Sequence, residues 1–444
     1  MTDAAPRLAA VAETLLGAPL PIRIRAWDGS EAGPPGGPLL AVHDRRALRR
    51  VLWKPGELGL ARAWVAGELT VEGDLYAVLE RVSGLLWDRP RANGSAQSPD
   101  TGPASPPAGL RALLRDPVRR AAVRELVTLA GPLPPPQPPA EEVARHSGPR
   151  HTRTRDRAAI GHHYDVGNAF YERVLGPSMV YSCAYWSPGC TLEEAQWDKL
   201  GLVCRKLALQ PGDRLLDVGC GWGSMALHAA REYGVRVTGV TLSREQAAYA
   251  RKRVAEEGLA DLVEIRIQDY RDVRDGPYEA VSSIGMAEHV GHERYREYAH
   301  TLFDLLRPGG RLLNHQIARP PAPDEQEYRL DRFIDSYVFP DGELSPIGST
   351  VGELELAGFE VRDVEALREH YGLTLRAWVS RLEEHWDEAV RLTSPGRARV
   401  WLLYMAASAL GFERGRLGVN QVLAVKPAAG GDAGLPLRLR TWGT

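Results

Sequence analysis

The sequence of 444 residues is poor in cysteine, methionine and phenylalanine, and it has no long apolar run. Its four cysteines, Cys183, Cys190, Cys204 and Cys220, lie within one short segment, and no two have C-x-x-C spacing. This pattern disfavours a disulfide framework, which is rare in chains of this length. It also lacks the close cysteine or histidine pairs of a zinc site, so no metal is expected. Free thiols are typical of a reducing compartment, and we expect a cytoplasmic protein.

Membrane spans and a strong net charge are also missing. No stretch approaches the roughly 20 apolar residues of a transmembrane helix. The first residues, MTDAAPRLAA, contain an early acid and no apolar core, so no signal peptide is predicted. Any membrane contact should therefore be peripheral. The 55 basic and 57 acidic residues nearly cancel, and no nucleic-acid partner is expected. Arginine is nevertheless dense between residues 111 and 157, which favours either a basic face for anionic lipid or a solvated linker.

Composition divides the chain into three zones. Residues 1–88 predict a small unit, with a helix near Leu8 to Leu16 and two strands within residues 22–43. Residues 89–150 contain proline- and glycine-rich stretches such as GPLPPPQPPAEE, which are typical of a linker. Residues 151–430 alternate strand and amphipathic helix patterns. That alternation predicts a doubly wound α/β domain around a parallel sheet.

A glycine-rich turn, LLDVGCGWGS, directly follows the first strand of this domain. It places Gly219, Gly221 and Gly223 at the start of a predicted helix, where backbone N–H groups can meet a ligand. The spacing differs from the G-x-G-x-x-G of dinucleotide folds, and the lysine of a P-loop is missing. Asp217 ends the strand, and its carboxylate favours a cationic ligand. The turn therefore predicts a site for S-adenosylmethionine, whose sulfonium and amino groups are positive; a purely structural turn is the alternative.

Two later turns supply further candidates for the same site. Many nucleotide-binding sheets carry an acid after the second strand, but this chain has Thr241 there. The Thr241 hydroxyl and the Gln246 amide are expected to replace that acid, and Ser243 with Gln246 has capping-box spacing. After the third strand, Asp269 and Tyr270 are predicted to meet the adenine, one by a hydrogen bond and one by stacking. A surface turn is the rival interpretation of this pair.

Nine motifs occur in a fixed order along the chain: HHYDVGNAFY, YSCAYW, DVGCGWG, GVTLSREQ, GMAEHVGHERY, NHQI, YVFPDGELSP, LREHYGLTLRAW and GVNQVLAV. Together they resemble the cyclopropane-fatty-acyl-phospholipid synthases and the mycolic acid cyclopropane synthases, from roughly residue 155 to residue 428. The resemblance implies a Rossmann-like class I methyltransferase domain with helical insertions. Residues 1–88 resemble the small α+β, lipid-carrier-like domain of the longer members.

The resemblance also implies a reaction. The cis double bond of an acyl chain attacks the methyl group of S-adenosylmethionine, and loss of a proton from that methyl closes a cyclopropane ring. The cation formed in between must be sheltered from water, and a base must reach the methyl group. In the family the base is a bound bicarbonate, and its matching positions are Cys183, Glu288, His315, Ile317 (through its backbone) and Tyr371. The cosubstrate positions carried over are Tyr181, Ser182, Gly219, Gly221, Thr241, Gln246 and Tyr270.

Partners follow from the same resemblance. The substrate implied is an unsaturated acyl chain of a membrane phospholipid, reached by transient contact with the inner face of the membrane. A homodimer is also compatible with the family.

The residues and motifs leave three other functions open. The first is an acyl C-methyltransferase that stops at a methylene or methyl branch. The second is a small-molecule methyltransferase, for which the N-terminal unit would have no use. The third is a non-catalytic lipid-binding protein, which the glycine turn and Glu288 disfavour. For Cys183 we favour a place in the wall of the anion site over a metal ligand or a nucleophile.

Overall fold

The computed structural model describes residues 3–87, 116–132, 134–143, 152–153, 155–156, 166–325, 328 and 331–436. Most of the predicted linker, the start of the motif HHYDVGNAFY and several arginines of the basic segment lie outside these residues. The chain forms two compact units. The first comprises Met1–His146, Ala322–Pro340 and Thr393–Leu410, and the second comprises Ser147–Pro321, Asp341–Leu392 and Gly411–Thr444. The division differs from the predicted domains, whose bounds stay a prediction, because two later segments join the N-terminal unit.

The strands are β1 Arg23–Arg25, β2 Glu31–Ala32, β3 Leu39–Val42, β4 Leu69–Glu72, β5 Arg214–Val218, β6 Arg236–Thr241, β7 Val263–Ile267, β8 Tyr278–Ile284, β9 Leu306–Ala318, β10 Glu360–Ala366 and β11 Gly418–Val425. The α-helices are α1 Ala4–Leu16, α2 Arg46–Trp53, α3 Glu57–Val65, α4 Leu75–Trp87, α5 Pro117–Ala130, α6 Asn168–Leu175, α7 Leu192–Leu207, α8 Ser224–Tyr233, α9 Arg244–Glu256, α10 Tyr295–Leu305, α11 Arg332–Tyr337, α12 Ile347–Leu356, α13 Arg368–Glu384, α14 Trp386–Leu392 and α15 Pro395–Glu413. Within the described ranges, none of these helices combines the length and the apolar character that crossing a bilayer requires.

The first unit is a four-stranded sheet, in the order β2-β1-β3-β4, with helices packed against it. Its apolar core joins α1 to α5, and Asp116 caps α5 by accepting a hydrogen bond from the Val118 amide. The later segments belong here because they carry specific contacts. Tyr337 of α11 donates to the Glu142 carboxylate at 3.0 Å, and Trp64 Nε1 donates to the Arg399 carbonyl at 2.9 Å.

The second unit is built on a seven-stranded sheet in the order β10-β11-β9-β8-β5-β6-β7. The strands from β9 through β7 pair in parallel, whereas β11 is antiparallel to both β9 and β10. The doubly wound α/β class predicted from the sequence is confirmed. The reversed direction of β11 was not predicted, since strand patterns carry no direction.

Helices cover both faces of this sheet, because successive side chains of each strand point to opposite faces. Leu215 of β5 joins a core with α7, α8 and α9, while Leu216 joins a second core with α10 and α12. Asp217 follows the periodicity of Leu215, so its carboxylate lies on the α7 side. A capping box at Thr191 and Glu194 starts α7 and helps to set its position.

Candidate active site

The glycine turn forms the floor of a cleft at the carboxyl ends of β5, β6 and β8. The Gly219 and Cys220 amides donate to the Val240 carbonyl at 2.9 and 3.0 Å, which fixes the turn to β6. Gly219, Gly221 and Gly223 have φ angles of 75°, 54° and 83°, a region where other residues are strained. Gly223 starts α8 instead of lining the cleft, and an added Cβ there would lie 3.0 Å from the Ala250 Cβ.

The cleft brings together nine of the ten cosubstrate residues predicted from the sequence. They are Tyr181, Ser182, Asp217, Gly219, Gly221, Thr241, Gln246, Asp269 and Tyr270. They come from four separate turns of one unit. This convergence follows from the parallel sheet, whose strands end at a common edge.

Asp217 is the buried acid of the cleft. Its Oδ1 accepts a hydrogen bond from Ser282 Oγ at 2.7 Å, while its Oδ2 is buried without a partner among the described residues. Burial raises the pKa of Asp217 to about 6, and Ser282 and Lys199 oppose that rise. An unpartnered buried carboxylate oxygen is costly, and a bound cationic group would satisfy it.

The two later turns are ordered by their own side chains. Thr241 Oγ1 donates to Gln246 Oε1 at 3.0 Å, so the two residues proposed to replace a ribose-binding acid do meet. Ser243 caps α9 by accepting from the Gln246 amide, but Gln246 does not complete the expected capping box because its side chain turns to Thr241. The Asp269 carboxylate is held by the Arg271 guanidinium at 2.7 and 2.8 Å.

Lys199 of α7 also lines this cleft, and the sequence reasoning missed it. Its ammonium donates to Ser182 Oγ at 3.0 Å, and the residue is 1% exposed. Burial lowers the pKa of Lys199 to about 8, while Cys183 and Asp217 oppose that change. The available signal was a lysine within the apolar face of a helix that predicts core packing, where an unpaired charge is rare.

A second polar group lies beside the cleft, at the end of β9. Glu288 Oε1 accepts a hydrogen bond from the Ile317 amide at 2.7 Å, and Oε2 is buried without a partner among the described residues. Burial raises the pKa of Glu288 to about 7. On β9, both ring nitrogens of His315 are likewise buried and without partners in the described part of the chain. Burial lowers the pKa of His315 well below its usual value, so the imidazole is neutral.

A chain of contacts joins four of the five residues matched to the bicarbonate site, and the fifth, His315, lies two residues before Ile317 on β9. Ile317 pairs with Val419 of β11, whose carbonyl accepts from the Leu367 amide at 2.8 Å. The Leu367 carbonyl in turn accepts from the Cys183 thiol at 3.6 Å and from the Tyr371 amide at 3.1 Å. Together with the Glu288 contact to Ile317, this brings the predicted set to one end of β9. None of the five lines the cosubstrate cleft.

Cys183 lies fully buried between these two groups. Burial raises the pKa of its thiol well above the usual value, with Lys199 opposing. The thiol is therefore neutral near pH 7 and poorly suited to act as a nucleophile. Among the described residues no cluster suited to a metal ion occurs, and all four cysteines are free.

Aromatic rings wall the same region. The Trp378 ring lies 5.4 Å from Tyr181 and 6.1 Å from Tyr371, and Tyr371 lies 4.7 Å from Phe412. Gln421 of β11, opposite His315, was also missed by the sequence reasoning. Its amide is buried with neither atom bonded within the described chain, and its signal is a polar residue inside the apolar run VNQVLAV.

Residues 151–422 match the model of the mycolic acid cyclopropane synthetase family. The chain belongs to this family. The sequence-based assignment to S-adenosylmethionine-dependent methyltransferases is thereby confirmed at the family level. A probable fatty acid methyltransferase of Mycobacterium tuberculosis is 44% identical over 426 residues, covering 94% of each chain.

Two other similar proteins carry the name of cyclopropane synthases. The cyclopropane-fatty-acyl-phospholipid synthase of Escherichia coli K12 is 38% identical over 261 residues, or 59% of this chain and 66% of that protein. A solved mycolic acid cyclopropane synthase, in complex with SAH and CTAB, matches with a TM-score of 0.58 and 34% identity. That match covers 61% of this chain and 98% of the solved chain.

The cleft fits the cosubstrate of this family. An added Cβ at Gly221 would meet only the Gln246 amide nitrogen, at 3.9 Å, so the backbone there is open to a ligand. Asp217 Oδ2 offers an unused acceptor to a cationic group. The residues present therefore suit a ligand that needs close backbone approach and a buried anion.

Gly221→Val should abolish binding of S-adenosylhomocysteine, because its side chain would occupy the space where the ligand meets the backbone. Isothermal titration calorimetry measures this directly. Gly212→Val is the matched control, since Gly212 has a φ of 91° and open surroundings but lies outside the cleft. Equal loss of binding in both variants would contradict the assignment, because it would trace the effect to backbone strain alone.

Glu288→Gln should stabilise the protein more at pH 8 than at pH 5. The raised pKa of Glu288 means that the folded state binds more protons than the unfolded state between about pH 4.5 and about pH 7. Folding stability is therefore lost as the pH rises through this window, and glutamine removes that penalty. The difference should be about 2 kcal/mol.

Urea unfolding at both pH values, in bicarbonate-free buffer, measures this difference. Glu256→Gln, an exposed glutamate, serves as the control for the pH change itself. A stabilisation by Glu288→Gln that is the same at pH 5 and pH 8 would show that the Glu288 carboxyl is not desolvated.

Proposed function

We propose that this protein transfers a methylene group from S-adenosylmethionine across the cis double bond of an unsaturated phospholipid acyl chain, with a bound bicarbonate as the base. The observation that carries the proposal is the set of buried polar groups at the end of β9. Glu288 Oε2 and both nitrogens of His315 lack partners among the described residues. A small polar guest with both donor and acceptor atoms would satisfy them.

Bicarbonate suits these groups electrostatically. Its O–H can donate to the Glu288 carboxylate, which removes the repulsion between two anions. Neutral His315 can donate one N–H to another oxygen of the guest. The raised pKa of Glu288, about 7, lets this carboxyl gain or release a proton near neutral pH.

The aromatic wall supports a cationic intermediate on the acyl chain. Tyr181 lines the cosubstrate cleft, its ring contacts the Trp378 ring, and the Trp378 ring contacts the Tyr371 ring. Ring faces attract a cation, and apolar walls keep water from trapping it. We place Tyr181, Ser182, Asp217 and the glycine turn at the cosubstrate, and Glu288, His315, Cys183, Tyr371 and the Ile317 backbone around the base.

The N-terminal unit supports a lipid substrate over a small molecule. The similarity to a probable fatty acid methyltransferase covers 94% of each chain and therefore includes this unit. The same match favours a second candidate function, transfer that ends in a methylene or methyl branch. The polar set around Glu288 does not separate the two, because both a ring and a methylene group require loss of a proton.

The test is proton NMR of the product lipid, made by the purified full chain from methyl-labelled S-adenosylmethionine and monounsaturated phospholipid vesicles. We expect cyclopropyl signals upfield of the methyl signals, and slower turnover without bicarbonate. Mass alone does not help, since the ring and the methylene product are isomers. Vesicles of saturated phospholipid are the control. Vinylidene signals would establish the second candidate, and no S-adenosylhomocysteine with any unsaturated lipid would overturn both.

A further inference from the structure

Lys199 is the cation of the cosubstrate cleft whose charge has no carboxylate partner by hydrogen bond. Among the described residues that line the cleft, Arg271 is bonded to Asp269 and Asp156, and Arg294 is bonded to Glu297. The acceptor of Lys199 is instead the neutral hydroxyl of Ser182, at 3.0 Å. Arg271 and Arg294 are therefore hydrogen-bonded to carboxylates of the protein, whereas Lys199 interacts with Asp217 without a hydrogen bond to it.

Such an arrangement is expensive unless a ligand completes it. Lys199 is 1% exposed, and a buried ammonium needs a counter-charge to offset the loss of hydration. Another buried lysine of the same helix has a carboxylate partner. Lys206, about two turns after Lys199 and 0% exposed, is hydrogen-bonded to the Glu365 carboxylate. A buried lysine with a structural role in α7 thus has a protein carboxylate, and Lys199 lacks that contact.

Two features indicate which anion Lys199 receives. Its ammonium is bonded to Ser182, next to Tyr181 in the cleft wall. Its charge also interacts with Asp217, whose Oδ2 is buried and unpartnered within the described residues. A buried cation and a buried anion that share one end of a cleft complement a zwitterion, and an α-amino acid group is a zwitterion at neutral pH.

We infer that Lys199 binds the carboxylate of the methionine moiety of S-adenosylmethionine, with Ser182 orienting the ammonium and Asp217 facing the amino group. This inference rests on the cosubstrate alone and not on the acyl acceptor. A protein that proved to make a methylene branch, or to use another lipid, would leave it intact. It adds to the cosubstrate site a residue that recognises the charged end of the ligand, remote from the reacting methyl.

The test compares two ligands that differ in this one group. S-adenosylhomocysteine carries the amine and the carboxylate, whereas its decarboxylated analogue keeps only the amine. The wild-type chain should bind S-adenosylhomocysteine about 10- to 100-fold more tightly than the analogue, as measured by calorimetry. Equal affinity for the two ligands would overturn the inference without any variant.

Substitutions then assign the preference to Lys199. Lys199→Met removes the charge and keeps a side chain of similar length. It should lower the affinity for S-adenosylhomocysteine about 10- to 100-fold and change the affinity for the analogue less than about threefold. Lys199→Arg keeps the charge and should keep the preference. Asp217→Asn is the matched control. Because both ligands carry the amine, this variant should lose affinity for both equally. Thermal denaturation shows whether the Lys199→Met variant is folded. The inference would be overturned if the folded variant lost affinity for both ligands equally, or for neither.

Discussion

Parallel pairing of β5, β8 and β9 is the constraint on which the site depends. It ends three strands at one edge of the sheet, so Asp217, Glu288 and His315 come together although they lie far apart in sequence. The strand register also determines the face of the sheet on which the side chains of Asp217 and His315 lie. Asp217 pairs with Ser282, whose hydroxyl donates to its carboxylate, and Ile284 pairs with His315. A slip of one residue would turn these side chains to the opposite face.

Several polar side chains of the site are buried with at least one atom that has no internal partner. Asp217 Oδ2, Glu288 Oε2, the His315 ring and the Gln421 amide have no partner among the described residues. A core built only for stability would satisfy or exclude such groups. Such unpartnered groups are typical of ligand sites, where a bound ligand supplies the missing hydrogen bonds. Loss of hydration also raises the pKa values of Asp217 and Glu288. The cosubstrate cleft and the end of β9 are two such incomplete places, side by side.

Sequence patterns predicted the parts of this arrangement that rest on local chemistry. Gly219 and Gly221 of the turn, the strand before them and Thr241 with Gln246 follow from spacing and backbone freedom, and the structure places them together. The role of Lys199 was not predicted, because helical periodicity assigns its position to the core. Periodicity does not distinguish a cation that faces a ligand from one in a buried ion pair. The sequence also did not predict that residues 322–340 and 393–410 belong to the N-terminal unit. This grouping depends on long-range contacts such as that of Trp64 with Arg399.

Glu288→Gln tests most directly whether the cosubstrate cleft and the proposed base site around Glu288 act separately. Its affinity for S-adenosylhomocysteine and its single-turnover rate on unsaturated phospholipid vesicles are measured on one preparation. We expect affinity within about threefold of wild type, since Glu288 does not line the cleft, and a turnover rate lower by about two orders of magnitude or more. Lost affinity with a normal turnover rate at saturating S-adenosylmethionine would contradict the account, because Glu288 would then serve the cosubstrate and not the base.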